Sequence, residues 1–146
     1  MKQTRIVPQF VEFIPPSLGE GMLYISRKYD TAAHKCCCGC GTKIVTPLKP
    51  TDWTLTETRD GVTLHPSIGN WNHPCQSHYI IRRNQVVWAG KMSQQEINRG
   101  RALNQAAKDA YYEKERAVGV ETLAPSSADQ VQYKSWWVRF VRWLSS

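Results

Sequence analysis

The chain has no long apolar run. Nothing in its 146 residues approaches the roughly 20 consecutive apolar residues of a transmembrane helix, and no apolar stretch of signal-peptide length follows Met-Lys-Gln-Thr-Arg at the start. We therefore expect a reduced, cytoplasmic setting. The length suits one domain with a real core, and a hydrophobic content of 41% with a charged content of 21% is ordinary for a globular protein.

Dense basic blocks are also missing. The net charge is +7, which permits an acidic partner. Apart from Arg82-Arg83 and the C-terminal segment, however, the basic residues are scattered, and no basic block carries interleaved aromatic residues. The sequence therefore gives no firm signal for nucleic-acid binding.

The cysteines do not suit a disulfide framework, because they are odd in number and crowded. Four of the five lie in His34-Lys-Cys-Cys-Cys-Gly-Cys-Gly41, and Cys75 lies in His73-Pro-Cys-Gln-Ser-His78. Neighbouring side chains rarely reach disulfide geometry with each other. Zinc binds converging thiolates and imidazoles, and glycines at 39 and 41 free the backbone to curl around an ion. The pattern predicts a zinc knuckle that joins two segments; buried thiols are the alternative, and spacing alone does not say which cysteine is spare.

Apolar alternation and turn signals predict a core that is mostly β. An Asp-Gly turn at Asp60 marks one hairpin. Residues 26–33 show no clear period, and 65–71 are expected to form a loop because Pro and Gly punctuate them. The strands and hairpins expected from these patterns are Val7–Ile14, Met22–Ser26, Lys43–Thr46, 52–64 and 79–88.

The C-terminal third is predicted to be helical. Ser93-Gln-Gln-Glu96 is a capping box, and apolar residues then repeat at helical spacing, so we expect a helix over 93–116 within a zinc-containing sheet domain of residues 1–116. Residues 117–130 read as a linker. Residues 131–146 are predicted to form an amphipathic, Trp-rich helix, for which we favour core packing or partner docking over contact with a membrane surface. The fold class predicted is α+β, a small β-sheet core with a zinc knuckle plus C-terminal helices.

Five sequence blocks together resemble a known family. The resemblance covers residues 5–115. The family consists of small bacterial domains encoded beside ubiquitin-like proteins and relatives of the ubiquitin-activating and ubiquitin-conjugating enzymes, in systems of the Bub type. The blocks are His34-x-Cys36-x-Cys38-Gly-Cys40-Gly, Thr46-Pro-Leu, Thr51-Asp-Trp53, Pro66-Ser-Ile-Gly-Asn-Trp71 and Pro74-Cys-Gln-Ser-His-Tyr79.

The resemblance implies a peptidase that processes or removes a ubiquitin-like protein, built as a serine hydrolase on a transglutaminase-like scaffold. The implied partners are the ubiquitin-like protein and its conjugates, together with a protein like the conjugating enzymes. The implied zinc is structural, and Cys37 is the spare cysteine. By position, the implied zinc ligands are Cys36, Cys38, Cys40 and Cys75, and the polar positions that match are His34, Ser67 and His78.

These residues can be given chemical roles. Ser67 is the best nucleophile, because the preceding Pro and the Gly two residues later allow a tight, exposed turn. His78 is the best general base, because it opens a predicted strand rigid enough to fix its imidazole, and His34 is the alternative base. Asp52 or Asn70 is expected to orient the imidazole.

Two other interpretations stay open. Cys75-x-x-His78 is itself a metal-ligand spacing, so His78 could complete a Cys3His site, with the zinc then acting as a catalytic ion in a zinc-dependent hydrolase. The chain could also be a non-catalytic zinc-binding adaptor in the same conjugation pathway. Changing Ser67 to Ala separates an adaptor from a serine peptidase.

Overall fold

The computed structural model of this protein describes residues 1–123. Within them the chain forms two four-stranded sheets followed by a helix, which confirms the α+β class. The expected Trp-rich helix at 131–146 lies outside the described residues. The elements are β1 Val7–Phe10, β2 Met22–Ser26, β3 Thr31–Lys35, β4 Lys43–Pro47, β5 Thr54–Thr58, β6 Gly61–Gly69, β7 His78–Arg82, β8 Gln85–Trp88 and α1 Gln94–Leu123.

The first sheet has the order β1-β2-β3-β4, with β1 parallel to β2 and the other pairs antiparallel. The strands expected at Met22–Ser26 and Lys43–Thr46 are confirmed, whereas the first strand ends at Phe10 rather than at residue 14. The strand β3 was not predicted. Its three central residues, 32–34, are all buried, so the strand lacks the polar–apolar alternation that marks a half-buried strand, and its pairing with both neighbours stabilises it instead.

The second sheet has the order β5-β6-β7-β8, all antiparallel, and both predicted hairpins are present. The loop expected at 65–71 is partly wrong, because residues 65–69 continue β6. Pairing shifts there: Leu64 faces Ile81 and Ile68 faces Tyr79, so a step of four residues on β6 opposes a step of two on β7. This bulge falls at Pro66, which has no N–H to donate to a sheet ladder.

The N-terminal residues connect the two sheets. The Ile6 amide donates to the Asn84 carbonyl, and the Val86 amide donates to the Thr4 carbonyl, both at 2.9 Å, before the chain enters β1. A single apolar cluster contains side chains from both sheets. Burial of each of its large aliphatic side chains stabilises the fold by about 1.5–3 kcal/mol. Its fully buried large side chains are Ile6, Leu23, Ile25, Leu64, Tyr79 and Ile81.

The helix begins as predicted and ends later. The Ser93 amide and hydroxyl donate to Glu96 Oε2 at 2.7 and 2.8 Å, and the Glu96 amide donates to Ser93 Oγ at 3.3 Å, which confirms the capping box. The helix then runs to Leu123, past the end expected at 116 and into the segment expected as a linker, because residues 117–123 contain no proline. The division of the chain at 116 and 130 stays a prediction.

Residues Met1–Gln105 form one compact unit, which holds both sheets and the first turns of α1. In the part of the chain that the structure describes, no helix has the length and apolar character needed to cross a membrane. The cytoplasmic setting and the transglutaminase-like scaffold both stay predictions.

Candidate functional site

Four cysteine sulfurs converge at one end of the first sheet. The Sγ atoms of Cys36, Cys38, Cys40 and Cys75 all lie within 4.8 Å of one another. Four sulfurs placed tetrahedrally around zinc at about 2.3 Å stand about 3.8 Å apart, so the cluster is compact enough for such a site. These four residues could therefore hold a metal ion.

The turn between β3 and β4 supplies three of the four sulfurs. The Cys36 amide donates to the Thr42 carbonyl at 2.7 Å, and the Gly39 amide donates to the Cys36 carbonyl at 3.1 Å, which folds the chain back on itself. Gly39 and Gly41 have φ of 85° and 79°, the left-handed conformation that the sequence led us to expect. A Cβ at Gly39 would also lie only 2.6 Å from the Met1 nitrogen.

Cys37, the fifth cysteine, is not part of the four-sulfur cluster and belongs to the apolar core. Its side chain is fully buried, and burial raises the pKa of its thiol to about 12. Cys37 therefore remains a neutral thiol, unlike Cys40, whose side chain is exposed. The hydroxyl and the backbone amide of Thr42 lower the pKa of the Cys40 thiol to about 6 and so favour the thiolate that a metal needs.

Buried polar side chains surround the sulfurs. The Ser77 hydroxyl lies 3.1 Å from Cys36 Sγ and 3.5 Å from Cys75 Sγ. Asn70 Nδ2 lies 2.7 Å from Ser77 Oγ and 3.4 Å from Cys36 Sγ. Asn70, one of the two residues expected to orient a catalytic imidazole, thus contacts the cysteine cluster.

Ser67 and His78 are in hydrogen-bonding contact. Ser67 Oγ lies 2.9 Å from His78 Nε2, and His78 Nδ1 lies 3.0 Å from the carbonyl oxygen of Gly90. A carbonyl oxygen only accepts, so Nδ1 carries the ring proton and donates to Gly90. In the neutral imidazole Nε2 is then the acceptor for the Ser67 hydroxyl. This is the tautomer in which a histidine can take a proton from serine.

The bulge in β6 and the start of β7 position this pair. Ser67 lies inside the bulge, on a strand rather than on the tight turn that we expected, and a bulge re-aims the side chains it carries. His78 is the first residue of β7 and pairs with Gly69. The indole of Trp71 packs on the His78 ring, with ring centroids 5.0 Å apart, and it occupies the space that a side chain at position 69 would need.

His34 lies elsewhere, in the core. The imidazole is fully buried on β3, and its Nε2 is 2.8 Å from the Tyr79 hydroxyl. Burial lowers the pKa of His34 to about 4, so the ring is neutral at neutral pH. The hydrogen-bond partner of Ser67 is His78, and His34 has a structural contact with Tyr79 instead.

The Ser67–His78 pair opens onto a cavity of about 460 Å³ within the first compact unit. Asp52, the other residue expected to orient an imidazole, lines this cavity, and its Oδ2 accepts from the Thr51 hydroxyl. The remaining lining includes Trp53, Trp71, Asn72 and Arg101, and the Arg101 guanidinium donates to Asn72 Oδ1 at 2.7 Å.

His78 is not one of the residues of the four-sulfur cluster. All four of its ligand atoms are sulfur, and both ring nitrogens of His78 have the partners given above. Three features were not visible in the sequence: the Gly90 carbonyl, the Trp71 ring on His78, and the contacts of Ser77. A backbone acceptor has no residue signature, and Ser77 offered only its position between Cys75 and His78.

Residues 10–89, which are 80 of the 146 in the chain, match the model of a family described as bacterial ubiquitination-like system serine protease, BubE. No curated protein and no solved structure matches the chain.

Proposed function

This chain belongs to the family of bacterial ubiquitination-like system serine proteases, and we propose that it is a peptidase that processes or deconjugates a ubiquitin-like protein. The observation that carries the proposal is the chain of contacts from Ser67 Oγ to His78 Nε2, at 2.9 Å, and from His78 Nδ1 to the Gly90 carbonyl, at 3.0 Å. Ser67 is the nucleophile and His78 the general base. The substrate is an amide or ester bond at the tail of the ubiquitin-like protein.

In the first half of the reaction, His78 Nε2 takes the Ser67 proton as Oγ attacks the carbonyl carbon of the scissile bond. The tetrahedral intermediate then collapses, and the imidazolium gives the same proton to the departing amine. This first half leaves an ester intermediate between Ser67 and the ubiquitin-like tail. In the second half, His78 takes a proton from water as the water attacks this ester. It returns that proton to Ser67, and the tail leaves as a carboxylic acid.

The Gly90 carbonyl takes the place that a carboxylate has in a Ser-His-Asp triad. It fixes the tautomer and holds the ring, as the carboxylate does, but it carries no full charge and stabilises the imidazolium less. Asp52 lines the same cavity. This arrangement supports a peptidase with a modest rate that depends on tight positioning.

Zinc held by Cys36, Cys38, Cys40 and Cys75 has a structural role in this proposal. Four thiolates fill a tetrahedral zinc site and leave no position for a catalytic water. The cluster ties the β3–β4 turn to the segment that leads into β7, because Cys75 lies only three residues before His78. Such a link supports the preorganisation that catalysis needs, where a misplacement of about 1 Å can cost about 100-fold.

The test is cleavage of a fusion protein in which a bacterial ubiquitin-like protein is joined through its C-terminal tail to a reporter. The Ser67→Ala variant should lose at least about 10³-fold in kcat/KM, because the nucleophile is gone. The exposed Ser17 offers a matched control, and Ser17→Ala should cleave like the wild type. Full cleavage by Ser67→Ala would overturn the proposal. A wild-type protein that binds the ubiquitin-like protein and leaves it intact would support the adaptor instead.

A further inference from the structure

Asn70 and Ser77 are the two buried polar side chains beside the cysteine cluster, each only 6% exposed. Neither takes part in the peptidase mechanism. Burial of an amide and a hydroxyl is costly unless each finds hydrogen-bond partners, so their contacts need an explanation.

The geometry directs their protons toward one sulfur. Asn70 Nδ2 has two protons: one points to Ser77 Oγ at 2.7 Å and the other to Cys36 Sγ at 3.4 Å. Because Ser77 Oγ accepts from Asn70, its own proton is free to point to Cys36 Sγ at 3.1 Å, which is closer than Cys75 Sγ at 3.5 Å. Cys36 Sγ is therefore the acceptor of two donors.

The same two residues are also connected to the backbone that carries His78. The backbone amide of Asn70 donates to the backbone carbonyl of Ser77 at 2.9 Å, and this bond closes the loop of residues 71–76. Ser77 directly precedes His78, and Gly69, which directly precedes Asn70, is the residue that pairs with His78. A substitution of Asn70 or Ser77 should therefore affect both the cysteine cluster and the position of the His78 imidazole.

We propose that Asn70 and Ser77 are positioning residues that donate hydrogen bonds to the Cys36 thiolate of the metal-loaded protein and, through the closed 71–76 loop, hold His78 against Ser67. Donors to a metal-bound thiolate offset its charge and fix its direction, and loss of such an outer-shell partner typically costs about 10- to 100-fold in metal affinity or activity. The second half of this inference, the hold on His78, rests on the proposed function.

The first measurement is zinc affinity of the full chain, by competition with a chelator of known affinity. Ser77→Ala and Asn70→Ala should each bind zinc about 10- to 100-fold more weakly than the wild type. Ser77→Thr keeps the hydroxyl and should restore wild-type affinity. Thr46→Val is the matched control, because Thr46 is equally buried but its hydroxyl donates to the Ala32 carbonyl, so this variant should keep its zinc affinity.

The second measurement is cleavage at saturating zinc, which removes any effect of weaker binding. Asn70→Ala and Ser77→Ala should then show a lower kcat with nearly unchanged KM, since the substrate cavity is intact. If an alanine variant does not fold, Asn70→Ser takes its place; it keeps one donor and should bind zinc with an affinity between those of the wild type and the alanine variant.

Wild-type zinc affinity in both alanine variants, or in Asn70→Ser, would overturn the proposed bonds to Cys36. Weakened affinity with wild-type kcat at saturating zinc would overturn the hold on His78. Failure of the proposed function gives a different result: no cleavage by the wild type, or cleavage that survives Ser67→Ala. The zinc affinities still decide the bonds to Cys36 in that case.

Discussion

Gly69→Ala should reduce the activity of the proposed Ser67–His78 catalytic pair, although it changes neither of these two residues. A Cβ at position 69 would stand 2.3 Å from Trp71 Nε1, 2.7 Å from Cε2 and 3.1 Å from Cδ1. Ordinary van der Waals contact begins at 3.4 Å, so the indole must move by about 1 Å. The Trp71 ring packs on the His78 ring, and Gly69 pairs with His78, so the displacement reaches the residue proposed as the general base.

The expected loss of catalytic rate follows from this displacement of the indole. A misplacement of about 1 Å at a catalytic group can reduce the rate by about 100-fold, and overpacking typically destabilises a fold by about 1–3 kcal/mol. We therefore expect kcat to fall by roughly 10- to 100-fold while the protein remains folded. The assay is cleavage of the ubiquitin-like fusion at saturating substrate, with the free energy of unfolding measured by chemical denaturation.

Gly100→Ala is the matched control. Gly100 lines the same cavity on α1, but a Cβ there meets nothing within 4 Å. This variant should keep wild-type kcat. The double variant Gly69→Ala/Trp71→Phe, with a smaller ring, should recover part of the lost rate. Wild-type kcat in Gly69→Ala, with its fold intact, would refute the claim that the Trp71–His78 contact positions the base.

Three further results are expected. Tyr79→Phe removes the hydroxyl that pairs with buried His34 and should cost about 1–3 kcal/mol in the free energy of unfolding, whereas exposed Tyr112→Phe should cost almost nothing; equal effects would contradict the buried contact. The Ser93 amide and hydroxyl hold the pKa of Glu96 below its ordinary value of 4.5. The carboxylate therefore stabilises the helix start above that pH, and this stabilisation is lost as the pH falls through the lowered pKa. Circular dichroism should show an acid transition in the wild type and a weaker one in Ser93→Ala. Cys37→Ala should keep one zinc per chain by elemental analysis while Cys38→Ser loses it, and retention of zinc by Cys38→Ser would contradict the four-sulfur site.

The parts of the fold that the sequence predicted are those with strong local signals. The strand Met22–Ser26 and the hairpin at Asp60-Gly61 follow from alternation and turn chemistry, and the capping box follows from Ser93 and Glu96. The strand Thr31–Lys35 was missed because its central residues 32–34 are all buried and so show no polar–apolar period. Its existence depends on pairing partners distant in sequence, which local patterns do not encode.

The candidate site was likewise predictable only where its signal is local in the sequence. Four clustered cysteines were visible as a metal pattern, but the choice of four out of five came from the family resemblance, and the spacing alone left it open. Residues 65–71 carry the Pro and Gly of a loop, yet the chain remains in β6 by means of a bulge, which places Ser67 on a strand. Asn70 was expected at an imidazole and contacts Cys36 instead, because its side-chain amide donates to Ser77 Oγ and its backbone amide to the Ser77 carbonyl across the loop.

The most direct test of the Ser67–His78 pair is covalent trapping with a fluorophosphonate, followed by mass spectrometry of the labelled peptide. The reagent reacts with a serine whose proton a nearby base can take. The account predicts one adduct per chain, on Ser67, which disappears in Ser67→Ala, is strongly reduced in His78→Gln and persists in Ser17→Ala. An adduct on another serine, or cleavage activity that survives with Ser67 fully labelled, would contradict it.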